Sequence, residues 1–595
     1  MTLSLDIANL AALYARGETT PEATVEEVFA RIGAKGVAPD WIALRDKANV
    51  LDSLRRAPHG PLYGIPFAVK DNIDVAGMPT TCACPAFAYV PVRSATVVER
   101  LEAAGAILIG KTNLDQFATG LNGTRSPYGI PASVFNTDYI SGGSSSGSAV
   151  VVAAGLVSFS LGTDTAGSGR VPAAFNNIVG LKPTKGIIST RGVVPACKSQ
   201  DAVSIFALTV ADAAKVAEAA VAFDKDDCFA RADAPPFAVE TAGRPLRIGI
   251  PNAPLSFFED SEYRRLYHHT IDRLAGLGAE ITPFNFAPFR DTAAMLYDGP
   301  WVAERLFAVD DMNDDDLHPV VRDIIHNGRN KSALATFESF YRLAEYRRAA
   351  DAEWNRMDVM VLPTAGTTYK IADILADPVR LNSNLGAYTN FVNLLDLSAL
   401  AVPAGFREDG IPFGVTLIGR AFADGQLAAI GDTLHRTLDG AKLGATQAAL
   451  SDAAPVTPQP ATKKKTVEVA VVGAHLRGQP LNSQLTERDA IYRETARTAA
   501  GYRLYALPGT TPPKPGLVFE GTGPGAIEVE IWEMDEAAFG SFVALIPAPL
   551  GIGTLLLEGG RQVKGFLCES HAVRGAEDIT EFGGWRAWLG RSAVA

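Results

Sequence analysis

Two serines in glycine-rich loops, and one lysine closing an apolar run, are the residues of this chain whose types and order could do covalent chemistry. Gly142-Gly143-Ser144-Ser145-Ser146-Gly147-Ser148 is followed by Ser168 within Gly162-Thr163-Asp164-Thr165-Ala166-Gly167-Ser168-Gly169-Arg170. Upstream, Leu62-Tyr63-Gly64-Ile65-Pro66-Phe67-Ala68-Val69-Lys70 places a lysine at the end of a short apolar strand. A serine that attacks an acyl carbon needs its proton removed, a proton for the leaving amine, and N–H groups facing the oxyanion. Lysine can take that proton only as the neutral amine, and burial is what lowers its pKa from about 10.4. A second hydroxyl can carry the proton between the two, because it both donates and accepts.

In this order the segments resemble the amidase signature family, from about residue 60 to residue 435. The resemblance implies Lys70 as base, Ser144 as a bridging serine after a cis Gly143–Ser144 peptide, and Ser168 as nucleophile. Thr165, Ala166, Gly167 and Ser168 would then present consecutive backbone N–H groups as the oxyanion hole. Asp164 and Arg170 flank that loop and read as its structural partners. Ser146 departs from the family pattern, which usually has glycine there, so Ser145 and Ser146 compete with Ser144 for its role. A Ser-His-Asp reading fares worse. Gly143 to Gly147 fits the letters of a nucleophile elbow, but Asn136 to Ser141 before it is no apolar strand, and no histidine stands in a triad context.

Within that family, Leu296 to Arg305, Tyr139 to Ser146 and Leu381 to Asn390 look like the corresponding segments of allophanate hydrolases. The resemblance implies a small ureido carboxylate, allophanate, as substrate. Arg305 offers its carboxylate a planar bidentate fork, Tyr297 a phenol, and Gly120 backbone groups. Gly473-Ala474-His475-Leu476-Arg477-Gly478-Gln479-Pro480-Leu481-Asn482 resembles the opening loop of the γ-glutamylcyclotransferase-like domain attached to allophanate hydrolases. The acidic residue expected of a cyclotransferase is missing, as Ile546-Pro547-Ala548-Pro549 occupies its region. The implied role of this domain is decarboxylation of N-carboxycarbamate with His475 taking part, and the mechanism requires no metal and no organic cofactor. Two alternatives stay open: another amidase of the family, such as a component of a glutamine-using amidotransferase, and a C-terminal module that serves assembly alone.

The elements that must hold these residues show as alternation. Short apolar runs such as Ile107-Leu108-Ile109, Arg247 to Ile250 and Val359 to Leu362 alternate with helical patterns such as Ala211 to Phe223 and Glu262 to Leu277. That pattern predicts an α/β fold, an α/β/α layered domain with chemistry on the loops at strand ends. Residues 1–35 read as a helical cover, with Leu10, Leu13 and Tyr14 on one face and a Thr20-Pro21-Glu22 helix start. After Leu443 the composition shifts, and the pattern predicts an amidase domain over 1–445, a Pro/Ala/Thr-rich linker over 446–465, and a small β-rich α+β domain over 466–595. Strands are expected there at 466–473, 503–507, 516–519, 527–532 and 554–557, forming a small barrel.

Composition bounds the rest. A length of 595 residues exceeds what one core usually organises. The net charge of -12 disfavours nucleic acid and anionic membranes, and Lys463-Lys464-Lys465 is too short to reverse that. Five scattered cysteines, including the Cys82-Ala83-Cys84 pair, form no disulfide framework and point to a reducing cytoplasm. The longest apolar stretch, Ala149 to Leu161, is too short for a membrane span and reads as a buried helix entering a strand. The expected partners are allophanate, a second copy of the chain as a homo-oligomer such as a dimer, and other urea- or triazine-degrading enzymes.

Overall fold

The computed structural model describes residues 3–36, 38–232, 245–456, 466–488, 490–521 and 526–591, with the backbone of 238–239 and 459–460; the Lys463 to Lys465 run lies outside these. The chain divides into two compact units, Met1–Gln459 and Pro460–Ala595.

The first unit is built on a mixed sheet of β1 (Trp41–Leu44), β2 (Pro66–Lys70), β3 (Ile107–Thr112), β4 (Phe159–Asp164), β5 (Val179–Lys182), β6 (Ala202–Ala207), β7 (Arg247–Pro251), β8 (Glu280–Phe284), β9 (Val359–Pro363), β10 (Leu397–Phe406) and β11 (Pro412–Arg420). Their spatial order is β1-β3-β2-β4-β6-β5-β10-β11-β9-β7-β8. Every residue of β2, β3, β4 and β6 is buried, as in strands covered on both faces; β2, β3 and β6 are largely apolar, whereas β4, Phe-Ser-Leu-Gly-Thr-Asp, buries polar residues as well.

β2 pairs in parallel with both β3 and β4. Parallel neighbours need long crossovers, which here contain the helices Thr96–Ala103 and Ser146–Ala153. The result matters for chemistry: β2 and β4 lie side by side with Val69 opposite Leu161, so Lys70 and Thr163 emerge at the same carboxyl edge of the sheet. That edge is where open α/β sheets form their crevice.

The N-terminal helices form where expected. Ile7–Arg16 is capped by Asp6, whose carboxylate accepts from Asn9 N at 2.9 Å, and Pro21–Lys35 by Thr20, which accepts from Ala23 N at 3.2 Å. Tyr14 OH donates to Gly64 O at 3.1 Å and so ties this cover to the turn that enters β2.

Residues 446–456, expected as the start of a linker, pack instead on the first unit. Leu450 and Ala453 are buried, Arg436 donates to the carbonyls of Leu450 (3.2 Å) and Ala454 (2.8 Å), and Val456 N donates to Asp432 at 3.0 Å. Two small apolar anchors and one arginine therefore hold down a stretch whose overall composition reads as unstructured. Residues 457–458 and 461–465 of the expected linker lie outside the described residues.

The second unit carries β12 (Thr466–Val471), β13 (Ile491–Arg497), β14 (Tyr502–Ala506), β15 (Pro515–Phe519), β16 (Glu528–Asp535), β17 (Leu550–Leu556), β18 (Gln562–Cys568) and β19 (Glu577–Asp578). Five form a sheet in the order β13-β16-β12-β18-β17, and three a second sheet in the order β15-β14-β19. Among the described residues the ends of the edge strands β13 and β17 meet at an antiparallel bridge between Thr498 and Leu557, with Ala499 N donating to Leu556 O at 2.8 Å, so the expected barrel curls up without a continuous seam. Its core includes Val469, Val471, Leu504, Ile531, Phe542 and Trp585. Among the described residues no helix is long and apolar enough to cross a membrane.

Candidate active site

Lys70, at the last position of β2, is fully buried, and its Nζ donates to Ser144 Oγ and to Thr163 Oγ1, each at 2.8 Å. Burial lowers its pKa to about 8, against the pull of Cys82, Asp115, Asp201 and Asp164. A perturbed pKa alone would not single it out, because burial also takes Lys182 to about 7. Lys182 Nζ, however, donates to the carbonyls of Pro183 and Leu397, which can pass on no proton, whereas Lys70 faces two hydroxyls.

Ser144 follows a cis Gly143–Ser144 peptide, and its carbonyl accepts from Asp115 N at 3.0 Å. The Asp115 carboxylate in turn accepts from Gly123 N and Arg125 N, both at 3.0 Å. A Cβ on Gly143 would collide with Asp115 Oδ2 and with Gly123 N, so only glycine lets these two loops meet. The neighbouring serines have other duties. Ser145 Oγ donates to Thr163 O at 3.2 Å, and Ser146 Oγ to Asn113 O at 3.5 Å, inside the first turn of its helix.

Ser168 is buried in the loop that leaves β4 after Asp164, next to Thr163, which accepts from Lys70. Asp164 and Arg170 clamp this loop as a buried ion pair (2.8 Å), and Asp164 Oδ2 also accepts from Gly169 N at 3.0 Å. Burial pushes the Asp164 carboxyl up, but the charge and hydrogen bonds of Arg170, with Lys182 and Gly169 N, together outweigh it and leave the group below the usual carboxylate range. Gly167 has φ +146°, and a Cβ there would strike the Thr389 side chain. Thr165 Oγ1 donates to Asp201, whose pKa burial pushes up to about 6. The backbone of Thr165 to Ser168 is thus fixed from both ends, which an oxyanion hole requires.

Arg305 and Tyr297 come together as the sequence suggests. Arg305 is buried, with Nη1 donating to Thr119 Oγ1 (2.9 Å), Nη2 to Tyr297 OH (3.5 Å), and the guanidinium 5.3 Å from the Tyr297 ring centre. Its Nε has no partner, and among the described residues no carboxylate lies within ion-pair distance. Gly120 sits on the same loop, where a Cβ would be 3.2 Å from Arg125 Nη1. A cavity of about 1080 Å³ opens beside this loop, lined by Leu121, Arg125, Tyr297, Asn382 and Asn390 among others; its lining does not include Ser168.

In the second unit His475 sits in the loop after β12, stacked on Phe566 at 5.0 Å, with Nε2 2.9 Å from Gln484 Oε1. Burial lowers its pKa, and Lys514 lowers it further, against the opposing effect of Gln484.

The amidase family model matches residues 30–428, and the model of the allophanate hydrolase C-terminal domain matches residues 467–590. The chain belongs to the amidase family. It is 42% identical to the urea amidolyase of Saccharomyces cerevisiae over 96% of this chain and 32% of that protein. It is 36% identical to a glutamyl-tRNA(Gln) amidotransferase component of Symbiobacterium thermophilum over 72% of this chain and 95% of that one. The solved structure of Kluyveromyces lactis allophanate hydrolase matches with a TM-score of 0.74 at 40% identity, covering 100% of both chains. The chain spans about a third of the length of the urea amidolyases.

Several residues around this candidate site carry little sequence signal of their own. Thr163 reads as a strand residue, and only the β2–β4 register brings it to Lys70. Asp115 reads as a loop aspartate until Gly123 and Gly143 are seen packed on it. Asn382 accepts from Leu121 N at 2.8 Å and from Asn122 Nδ2 at 2.9 Å, contacts that span more than half the first unit in sequence. Arg125, a fully buried guanidinium lining the large cavity, donates to Thr119 O at 2.9 Å and Pro378 O at 2.7 Å.

Proposed function

We propose that this chain hydrolyses the terminal amide of allophanate, and that its C-terminal unit decarboxylates the product. The observation that carries the substrate is Arg305: a guanidinium cannot shed its charge, so a buried one with an unpaired Nε and no carboxylate partner among the described residues is poised for an anion. Its contacts to Thr119 and Tyr297 hold the fork in place, and its charge acts on Asp201, which anchors Thr165 of the nucleophile loop.

Neutral Lys70 takes the Ser144 proton as Ser144 takes that of Ser168, and Ser168 Oγ attacks the amide carbon. The backbone N–H groups of Thr165 to Ser168 receive the oxyanion, and the proton returns through the same relay to the leaving nitrogen, releasing ammonia. Water then cleaves the acyl-serine to N-carboxycarbamate. In the second step the C–N bond to one carboxylate breaks, its electron pair stays on nitrogen, one proton is taken up, and carbon dioxide leaves a carbamate. His475 is the residue we assign to this step.

The same proposal places the chain in the cytoplasm, where its five free cysteines stay reduced. It also expects a homodimer, with the exposed Leu334, Phe337, Phe340 and Tyr341 of the helix Ala333–Glu353 as the apolar surface a second copy would cover. The deciding experiment follows ¹³C-labelled allophanate by NMR with wild type, Ser168→Ala and His475→Ala proteins. Wild type should release ammonia and carbon dioxide, Ser168→Ala neither, and His475→Ala should accumulate the dicarboxylated intermediate. Faster turnover of glutamine than of allophanate by the wild type would overturn the substrate assignment.

A further inference from the structure

A second cavity, of about 180 Å³, lies in the C-terminal unit around His475. It is far smaller than the roughly 300–1,000 Å³ of common ligand pockets, which restricts it to a small molecule. Leu481, Leu545, Ile546, Leu550 and Phe566 give it apolar walls, and no acidic residue is among those lining it. Only His475 and Lys514 in that lining can carry charge, so every titratable group facing the cavity is basic.

Both residues are held in place. The His475 ring is stacked on Phe566 at 5.0 Å, meets Phe542 edge-on at 5.1 Å, and has Nε2 2.9 Å from Gln484 Oε1. Its carbonyl accepts from Asn482 Nδ2 at 2.9 Å. Lys514 is half-buried immediately before β15, with its backbone N donating to Thr510 Oγ1 at 2.9 Å. Pro515 packs so closely on Gly473 that a Cβ there would overlap it, which brings the Lys514 segment against the His475 loop. Three prolines, Pro512, Pro513 and Pro515, surround the lysine and limit the freedom of its backbone.

We propose that this cavity is a binding site for a small dicarboxylate, with Lys514 as the cation that receives one carboxylate. A half-buried ammonium lining a largely apolar cavity attracts an anion more strongly than it would on an open surface. With one carboxylate on Lys514, the single NH between the two carboxylates of N-carboxycarbamate leaves the second within a cavity whose lining includes the His475 ring and apolar side chains. There the charged group is disfavoured relative to an uncharged product such as carbon dioxide. Lys514 thus decides which end of the molecule stays charged. The identity of the natural ligand rests on the decarboxylation reading above; the existence of the anion site does not.

Malonate tests the site directly, because it replaces the NH of N-carboxycarbamate by CH₂ and does not turn over. Full-length protein is labelled with ¹³C-histidine, and among its eight histidines the His475 ring signal is assigned with His475→Gln. Malonate should move that signal saturably in wild type, while the uncharged diamide malonamide should not. Lys514→Met should weaken the apparent affinity about tenfold or more, a loss of about 1.4 kcal/mol or greater. Lys514→Arg should restore it to within about threefold, which also guards against a fold defect in the methionine variant. An unmoved His475 signal in wild type, or equal malonate affinity in wild type and Lys514→Met, overturns the proposal. Because malonate yields no product, either result is independent of whether carbon dioxide release from labelled allophanate depends on this unit.

Discussion

Replacing Thr163 by valine probes the proton relay without touching any of its three proposed members. In the ammonium form Lys70 Nζ donates to Thr163 Oγ1 at 2.8 Å, a charge-assisted bond worth about 1.5–3 kcal/mol, whereas the neutral amine makes an ordinary one of about 0.5–1.5 kcal/mol. Valine removes both, so the charged form loses about 1–1.5 kcal/mol more than the neutral form. At 1.36 kcal/mol per unit this lowers the Lys70 pKa by about one unit. Wild type should show kcat/KM for ammonia release rising tenfold per pH unit and levelling near pH 8, where burial has placed the Lys70 pKa. In Thr163→Val the levelling should come about one unit lower, with a reduced plateau because Lys70 has lost one of its two positioning contacts. The assay is steady-state ammonia release at limiting substrate from pH 5.5 to 10, with glutamate dehydrogenase coupling checked at each pH. A limb that stays near 8, or moves upward, would refute Lys70 as the titrating base.

Ser168→Ala should abolish ammonia release while thermal unfolding stays within a degree or two of wild type, since the residue carries a hydroxyl and little packing. Lys70→Met should be inactive yet more stable at pH 6. The folded pKa of Lys70 is depressed to about 8, so wild type gains stability as pH rises from about 8 to about 10.5, and urea unfolding should show the variant's advantage shrinking by about 3 kcal/mol across that window. Gly167→Ala must both adopt φ +146° and push into Thr389, so kcat should fall about a hundredfold as the oxyanion loop shifts, with KM less affected. Arg305→Lys should weaken use of an anionic amide about tenfold more than use of an uncharged one, and the gap should widen with pH; equal losses on both would remove Arg305 from the carboxylate site.

The order Lys70, Ser144, Ser168 and the alternation of strands and helices were legible because each is a local pattern: glycine-rich loops, apolar runs, capped helices. What the chain does not spell out is set by register and by distant packing. Thr163 becomes a lysine ligand only because β2 and β4 are parallel and aligned. Strand β13, Ile-Tyr-Arg-Glu-Thr-Ala-Arg, has the polarity of a loop, and it pairs because Trp532 and Ile531 on β16 lie opposite Tyr492 and Glu494. Residues 446–456 have a linker's composition, but a few anchored positions suffice to dock them. Lys514, far in sequence from His475, reaches the same cavity only through the packing of Pro515 on Gly473.

The first unit buries both lysines and arginines, and the two residue types respond oppositely to burial. Lysine yields to desolvation: Lys70 falls to about 8 and Lys182 to about 7, so a buried lysine near neutral pH is a reservoir of free amine. That suits a base, which must start without its proton. Arginine does not yield, because its guanidinium stays protonated at any pH the protein meets. Arg305 is as deeply buried as Lys70 but keeps its charge, and that is what a carboxylate receptor needs. A lysine at 305, buried as Lys70 and Lys182 are, would be desolvated in the same way and lose much of its charge at the pH where Lys70 becomes competent. The acid limb and the substrate affinity would then oppose each other, activity rising with pH as binding fell. With lysine at 70 and arginine at 305, the proposed base and the proposed anion receptor answer oppositely to the same burial, and the two requirements separate.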